Sequence, residues 1–410
     1  RPMSSALQVQ VEPESLGMSG ERLARIDRHF QQYVDDSRLP GWQIVVARHG
    51  NVVHHSTYGH RNIEEGLPVE GDTIWRIYSM TKPITTLAAL MLYEEGAFQL
   101  DQPVADFIPS FGELKVWKGE GHPLSDVEDL ERPVTIHDLM THQSGLIYDV
   151  EGGNALEQAM ISEGLDFSRK GDTLEAAIER LASLPLAFQP GARWHYGIST
   201  EVLGRIVEVV SGQSLAVFFE ERIFAPLGMG ETGFFLRDPA LKRRMAAIYG
   251  RGPEGFQPLP EPAGQRYDPG MQLFSGGGGL LSTVDDYRKF ASMLLGGGHY
   301  SGGRLIGRKT FDLMTRNHMG GDLASRGQSH FAETTFHGIG FGLGLAVMLD
   351  PAKAKILGSP GEFNWGGMAS TTFWVDPAEE LTAILMTQLY PSSTYALRRQ
   401  LRVLTYQALV

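Results

Sequence analysis

The stretch Ser79-Met80-Thr81-Lys82, followed by the apolar run Pro83–Leu92, decides how this chain of 410 residues is interpreted. Residues three apart on a helix share a face, so a hydroxyl and an amine meet where this helix begins. Proline is tolerated in the first turn of a helix, which places Ser79 and Lys82 at its entrance. A serine hydroxyl becomes a nucleophile when a nearby base takes its proton, and the positive end of a helix suits a developing oxyanion. The stretch therefore predicts a nucleophilic serine with a lysine as its candidate base.

The S-x-x-K spacing alone is a weak signal, since a chain of this length contains roughly one by chance. Ser79 is the only serine here with a lysine three residues further on. Two competing patterns are incomplete. Ser144 lacks the leading glycine of a G-x-S-x-G nucleophile elbow, and no Lys-Ser or Lys-Thr pair follows Gly276–Gly279, which argues against a P-loop. We interpret Ser144 as a loop-stabilising hydroxyl and the glycine run as a flexible wall beside a cleft.

Composition excludes several classes of function. The chain is 42% hydrophobic and 20% charged with a formal net charge of −12, which is typical of a soluble globular protein and argues against nucleic acid or a membrane as partner. Absence of cysteine excludes disulfides, thiolate catalysis and cysteine-ligated zinc. The 13 histidines form no H-E-x-x-H pattern, and we predict no metal and no cofactor. Arg1–Ser4 lacks the apolar core of a signal peptide, so we expect a cytoplasmic protein, with export of a longer precursor left open.

Hydrophobic periodicity places strands towards both ends of the chain and helices in the middle. The predicted helices span 20–36, 79–95, 135–140, 174–183, 199–210, 282–296 and 397–409. The predicted strands span 43–48, 52–58, 341–349, 371–375 and 381–387. The simplest arrangement is one antiparallel sheet built from both ends of the chain, covered by the terminal helices, beside a helical lobe.

Three fragments occur in a fixed order and are together far more specific than any one of them. They are Ser79-Met80-Thr81-Lys82, Tyr196-Gly197-Ile198 and Trp365-Gly366-Gly367, with the segment Leu139–Leu146 between the first two. In this order they resemble the motifs of the serine β-lactamase-like superfamily, most closely the family VIII carboxylesterases, which look like class C β-lactamases. The resemblance extends from near Gly20 to the C-terminus.

This resemblance implies a mixed α+β fold, in which an antiparallel sheet flanked by helices stands beside an all-helical lobe. The active site would lie between the two. The implied α/β lobe comprises residues 1–83 and 300–410, and the mainly helical lobe comprises residues 84–299, from which the Tyr196 loop returns to the cleft.

The resemblance also implies a role for each motif. Ser79 would be the acylated nucleophile, while Lys82 and Tyr196 would exchange its proton and later activate water. The backbone N–H groups of Ser79 and Met368 would form the oxyanion hole. The residues implied in substrate binding are Trp365, Gly366, Gly367 and Ile198.

Two positions depart from the β-lactamase pattern. The tyrosine motif there ends in asparagine but here in Ile198, and the third motif there begins with lysine but here with Trp365. Losing the lysine removes a charge-assisted contact with the carboxylate of a β-lactam, which is typically worth about 1.5–3 kcal/mol. The apolar, aromatic rim that remains suits a neutral ester better, so we expect at most a minor β-lactam cleavage.

The missing lysine also bears on the mechanism. A free tyrosine has a pKa of about 10, so ionising one at neutral pH takes roughly 4 kcal/mol of favourable field. Lys82 is the only cation that the motifs supply. We expect Lys82 and Tyr196 to share one proton as a coupled pair, with neutral Lys82 carrying more of the base role than in β-lactamases. This predicts an alkaline activity optimum.

The sequence therefore predicts a serine carboxylesterase that hydrolyses neutral, short-acyl esters of small molecules through an acyl-enzyme on Ser79. A β-lactamase, a D-alanyl peptidase and an acyltransferase are alternatives on the same site, and a non-catalytic acyl-binding module is the alternative from another class. Aromatic candidates for the pocket walls are Tyr148, Phe274 and Phe336. The oligomeric state is not readable from the sequence.

Overall fold

A computed structural model describes residues 7–9, 11–149, 153–169, 171–260 and 270–410. The helices are α1 (Gly20–Asp35), α2 (Lys82–Glu94), α3 (Ile136–Met140), α4 (Ala155–Ser162), α5 (Leu174–Ala182), α6 (Ser199–Ser211), α7 (Leu215–Phe219), α8 (Ala225–Leu227), α9 (Val284–Leu295), α10 (Arg308–Met314), α11 (Pro351–Ala354) and α12 (Leu397–Tyr406). The strands are β1 (Gly41–Arg48), β2 (Asn51–Asn62), β3 (Leu67–Pro68), β4 (Trp75–Arg76), β5 (Lys115–Trp117), β6 (Val127–Asp129), β7 (Tyr249–Gly252), β8 (Gly255–Pro258), β9 (Leu281–Ser282), β10 (His299–Tyr300), β11 (Gly303–Arg304), β12 (His330–Phe331), β13 (Thr334–Thr335), β14 (Ile339–Phe341), β15 (Ala346–Met348), β16 (Phe363–Gly366), β17 (Thr372–Asp376) and β18 (Leu381–Thr387).

The central feature is an eight-stranded sheet in the order β14-β15-β16-β17-β18-β1-β2-β3. Every neighbouring pair in it is antiparallel. Its middle joins the two ends of the chain, because β1 pairs with β18, with Trp42 opposite Thr387 and Arg48 opposite Leu381. The fold is thus the mixed α+β arrangement expected from the sequence, with the sheet drawn from both ends.

Both faces of the sheet are buried, and the alternation of side chains along β1 shows why. Trp42, Ile44 and Val46 point into the core beneath α1 and α12, while Val45 joins the larger core on the other face. Helix α1 presents an apolar stripe at helical spacing to the first of these cores. Its N-terminus is capped by the Ser19 side chain, which accepts a hydrogen bond from the Arg22 backbone N–H.

Helix α2, which begins at Lys82, is the central helix of the second core. Every residue from Lys82 to Leu92 is buried, which is what an all-round apolar sequence dictates. Helix α9 packs against β1, β17 and β18 on the same face of the sheet, and α6 packs against α2. The start of α2 is therefore fixed between the sheet and the helical lobe.

One predicted strand is wrong. The range 341–349 forms two short strands, β14 and β15, joined by a tight turn in which the Gly342 N–H donates to the Leu345 carbonyl. Gly344 in this turn has φ +77°, a conformation that glycine adopts without strain. The mostly apolar run over 341–349 gave no sign of the turn between the two strands.

Within the described residues, no single helix is long and apolar enough to cross a membrane. Taken together, Ser199–Ser211 and Leu215–Leu227 meet the length and composition requirement, but the two segments are bent by 82° to one another.

Candidate active site

Ser79 lies in a 3₁₀ turn, Tyr78–Thr81, that leads directly into α2. Tyr78 has φ +43°, a strained conformation for a residue with a side chain, of a kind that clusters at functional sites. The turn is fixed from two sides. The Tyr287 hydroxyl donates to the Met80 carbonyl over 2.8 Å, and the Leu280 backbone N–H donates to the Thr81 hydroxyl over 3.2 Å. The Ser79 side chain is thereby presented to a large cavity.

The three residues of the predicted catalytic set lie together. Lys82 Nζ donates to Ser79 Oγ over 3.0 Å, and the Tyr196 hydroxyl donates to the same oxygen over 2.7 Å. Lys82 Nζ also stands 4.9 Å from the centroid of the Tyr196 ring. Lys82 is 1% exposed and Tyr196 is 5% exposed, so both contact Ser79 from buried positions. The arrangement can pass a proton among the three groups.

Lys82 has two further partners that the sequence did not indicate. Its Nζ donates to the Tyr148 hydroxyl over 2.6 Å and to the Gly277 carbonyl over 2.7 Å. With Ser79 this makes three acceptors, which match the three hydrogens of an ammonium group. The geometry therefore favours a protonated Lys82 in the resting state. We expected neutral Lys82 to carry more of the base role than in β-lactamases; an ammonium in this position would leave that role to Tyr196.

The Tyr148 phenol is buried beside this ammonium and stays neutral. Burial raises the pKa of Tyr148 well above 10, and the neighbouring Tyr196 and Glu201 raise it further. Its ring lies 5.1 Å from that of Tyr196. Tyr148 is thus an uncharged acceptor for Lys82.

The glycine run Gly276–Gly279 forms part of the cavity wall, as expected, and side chains of the site hold its backbone. The Thr85 hydroxyl donates to the Gly276 carbonyl over 2.7 Å, and the Gly277 N–H donates to Glu201 Oε1 over 3.1 Å. A Cβ on Gly277 would lie 2.7 Å from the same Oε1. Glycine is required because the carboxylate and the backbone approach so closely.

The predicted oxyanion donors are the N–H groups of Ser79 and Met368. Among the described residues, neither donates to a backbone carbonyl outside its own helix or strand. Met368 follows β16, and a Cβ on the preceding Gly367 would lie 2.6 Å from the Ile77 carbonyl, just ahead of the turn that carries Ser79. The Trp365-Gly366-Gly367 motif therefore runs directly beside the nucleophile.

Arg398, from the N-terminal part of α12, stands against this motif and was missed from the sequence. Its Nη2 donates to the Gly367 carbonyl over 2.9 Å and to the Thr371 carbonyl over 3.2 Å. Burial lowers the pKa of this guanidinium, while the nearby Glu333 and Tyr196 counteract that effect. A cation thus stands near the strand whose motif lacks the β-lactamase lysine. The amphipathic pattern of α12 gives no signal for it.

Aromatic rings enclose Tyr196. Their centroids lie between 4.9 and 5.1 Å from its own, and they belong to His142, Tyr148, Phe331 and Trp365. Burial, followed by the positive charges of Lys82 and His195, lowers the pKa of His142 well below its usual value, so this ring is neutral. The enclosure fixes the direction of the Tyr196 hydroxyl.

The cavity in front of Ser79 has a volume of about 1550 Å³. Trp365, Gly366, Gly367 and Met368 line it, and so do Tyr148 and Phe336. Ile198 does not. It is 1% exposed, precedes α6 and borders a separate small pocket, so its position does not support the expectation that it contacts the substrate. Phe274 also lies elsewhere, packed against Phe234.

Within the described residues, no group of three or more His, Cys, Asp or Glu side chains could hold a metal ion.

Comparison with known proteins defines the class. Residues 26–407 match the Beta-lactamase family, to which the chain belongs. The chain is 34% identical over 397 residues to esterase EstB of Burkholderia gladioli, covering 92% of this chain and 93% of EstB. It is 33% identical over 365 residues to protein Rv1367c of Mycobacterium tuberculosis, covering 88% and 89%. It superimposes on EstCE1, described as a hydrolase with promiscuous acyltransferase activity, with a TM-score of 0.77 at 26% identity, covering 96% of this chain and 98% of EstCE1.

Proposed function

We propose that this protein is a serine carboxylesterase that hydrolyses neutral, short-acyl esters through an acyl-enzyme on Ser79. The observation that carries the proposal is the pair of hydrogen bonds that Lys82 and Tyr196 make to one hydroxyl oxygen, at 3.0 and 2.7 Å. A nucleophile needs an oriented base within hydrogen-bond reach, and Tyr196 has that position. The similarity to an esterase supports the same conclusion.

The reactive form has Tyr196 as phenolate, so that the Ser79 hydroxyl donates to it in place of the hydrogen bond that the neutral Tyr196 hydroxyl donates to Ser79 Oγ. Acylation begins when the phenolate takes this proton while Oγ bonds to the ester carbonyl carbon. The N–H groups of Ser79 and Met368 receive the oxyanion. The tetrahedral intermediate then expels the alkoxide, which takes the proton held by Tyr196. In the second half, Tyr196 takes a proton from water as its oxygen attacks the acyl carbon, and the proton returns to Ser79 as the acid leaves. Protonated Lys82 stabilises the phenolate in both halves.

The shape of the site supports a short acyl group. The aromatic rings of Tyr148, Tyr196, Phe331 and Trp365 line the same cavity as Ser79, and the other three pack around Tyr196, which contacts the nucleophile. The cavity of about 1550 Å³ extends well beyond them and leaves room for a larger alcohol group.

The same volume favours a second candidate, acyl transfer to an alcohol. Pockets for one small molecule usually occupy about 300–1,000 Å³. A cavity of about 1550 Å³ holds an acyl-enzyme and an acceptor alcohol together. Acyl transfer differs from hydrolysis only in the second half of the reaction, where Tyr196 takes a proton from an alcohol instead of from water.

Labelling with a fluorophosphonate followed by peptide mass spectrometry tests the nucleophile. We expect the label on Ser79 and none in Ser79→Ala, whereas a label on another serine would overturn the assignment. Turnover of p-nitrophenyl acetate, nitrocefin and a D-alanyl peptide then ranks the substrate classes, and we expect the ester first by a wide margin. Adding a primary alcohol and searching for the transesterified product measures acyl transfer.

A further inference from the structure

Glu201 is a buried carboxyl group for which the mechanism above has no role. It lies in the first turn of α6, five residues after Tyr196, and is 4% exposed. Its Oε1 accepts hydrogen bonds from the Ser275 hydroxyl at 2.5 Å and from the Gly277 N–H at 3.1 Å. Its Oε2 is buried and has no partner among the residues that the structure describes. Burying a carboxyl group with an unpartnered oxygen is costly, so its presence beside the site calls for a function.

Two physical links join Glu201 to Lys82. The first is mechanical: Gly277, whose N–H is held by Glu201, presents its carbonyl to Lys82 Nζ at 2.7 Å. The second is electrostatic. Burial raises the pKa of Glu201 to about 7, while the Ser275 hydroxyl and the positive charge of Lys82 oppose that rise by favouring the ionised form.

The surroundings of Glu201 contain few other charges. Across the described residues, the titratable groups that face it are Lys82 from α2 and Tyr148 from the segment after α3. Tyr148 remains a neutral phenol because burial raises its pKa well above 10. The contacts from the glycine run are backbone groups and the Ser275 hydroxyl. Glu201 is therefore the carboxylate that balances the ammonium of Lys82.

We propose that Glu201 is a positioning residue that keeps Lys82 protonated and in place, so that Tyr196 and not Lys82 takes the proton of Ser79. This inference rests on the proposed serine-hydrolase function. An ionised Glu201 stabilises the ammonium, and the ammonium in turn stabilises the phenolate of Tyr196. Removing this negative charge makes the site more positive, so a proton that must leave the site before acylation leaves at a lower pH.

The pH profile of kcat/KM separates this role from a purely structural one. Glu201→Gln keeps the acceptor oxygen for Gly277 and Ser275 but removes the charge. We expect the acidic limb of the profile for p-nitrophenyl acetate to move to lower pH by about half to one unit. The proposal would be overturned if kcat/KM were lower by the same factor at every pH, with the acidic limb unmoved. It would also be overturned if the profile superimposed on that of the wild type.

The matched control is Glu208→Gln, two turns further along the same helix. Glu208 is also largely buried, but its carboxylate accepts from the Leu215 N–H at 2.9 Å and pairs with Arg205, away from the cavity. We expect no movement of the acidic limb in this variant. An equal movement in both variants would mean that the effect belongs to α6 in general and would contradict a specific role for Glu201.

Two further measurements cover the remaining outcomes. Ser275→Ala removes the donor that favours the ionised carboxyl, and we expect a smaller shift in the same direction, which provides a result even if Glu201→Gln does not fold. Fluorophosphonate labelling is run on every protein. An unlabelled Ser79 in the wild type refutes the proposed function, whereas normal labelling in wild type and Glu201→Gln with an unshifted profile refutes the role of Glu201 alone.

Discussion

The amine of Lys82 lies closer to the hydroxyl of Tyr148, at 2.6 Å, than to the Ser79 oxygen, at 3.0 Å. Two tyrosines thus lie beside one ammonium, and their different environments give them different roles. Tyr196 donates to Ser79 Oγ at 2.7 Å and stands within reach of the reacting proton. Tyr148 is held neutral by burial and acts as an acceptor for Lys82.

Replacing the two tyrosines should therefore have unequal effects. Tyr148→Phe removes a hydrogen bond to a charged group, worth about 1.5–3 kcal/mol, so we expect kcat/KM to fall roughly 10- to 100-fold. Tyr196→Phe removes the base and should lower kcat/KM by about 10³-fold or more. Steady-state kinetics with p-nitrophenyl acetate compares them. A larger loss in Tyr148→Phe would make Tyr148 the base.

Gly367 should tolerate no side chain. A Cβ there would lie 2.6 Å from the Ile77 carbonyl and 2.3 Å from the Thr371 hydroxyl, so Gly367→Ala must push the strand away from the turn that carries Ser79. Loss of one oxyanion donor typically costs 10²–10³ in kcat, and we expect a fall of about 100-fold. The control is Gly230→Ala, where a Cβ meets nothing within 4 Å. Equal activity of the two variants would contradict a close approach at Gly367.

Arg398 should act on the rate of the chemical step. A peptide unit is planar and trans, so its carbonyl and N–H point in opposite directions. By holding the Gly367 carbonyl at 2.9 Å, Arg398 also fixes the direction of the Met368 N–H. We expect Arg398→Met to lower kcat by about 10-fold with little change in KM. Arg399→Met, whose side chain pairs with Glu333 and not with the strand, is the comparison. A rise in KM alone would assign Arg398 to substrate binding.

Asp286 should make stability depend on pH. Burial raises the pKa of its carboxyl from 3.8 to about 6, so the folded protein holds this proton more tightly than the unfolded chain does. The stabilising contribution is complete below pH 4 and is lost as the pH rises through about 6.

Asp286→Asn has no such proton, so its stability relative to the wild type should improve by about 2–3 kcal/mol between pH 4 and pH 8. Urea unfolding at both pH values measures this difference. Asp312→Asn, at a half-exposed site on α10, should show no comparable change. A constant difference between Asp286→Asn and wild type across that range would refute the effect.

The local motifs could be found from the sequence because each depends on short spacing. Ser79 and Lys82 are three residues apart, and the proline after them places the pair where the helix begins. The elements of the sheet layer could also be predicted, since β18 is a short, mostly apolar run and α1 carries apolar residues at a spacing of 3.6. The spacing of residues in a motif does not show where each side chain points in the folded protein. Ile198 belongs to the tyrosine motif, yet it turns into the core where α6 begins.

The partners of Lys82 could not be predicted from the sequence, for a different reason. Tyr148 and Gly277 are separated from it by 66 and 195 residues, and nothing local marks either as its partner. Arg398 approaches the Gly367 strand from the last helix, in a run where charged residues are the rule on a solvent face. Such contacts follow from tertiary packing, which a single sequence does not display.

The pairing of β1 with β18 sets a limit on biosynthesis. Trp42 can pair with Thr387 only after all the residues between them have been synthesised. Until then the hairpin of β1 and β2 carries an open edge, which is a hazard for association with other nascent chains. Because β16 also follows helices α1 to α11 in the chain, a fragment that ends before β16 cannot place Met368 beside Ser79.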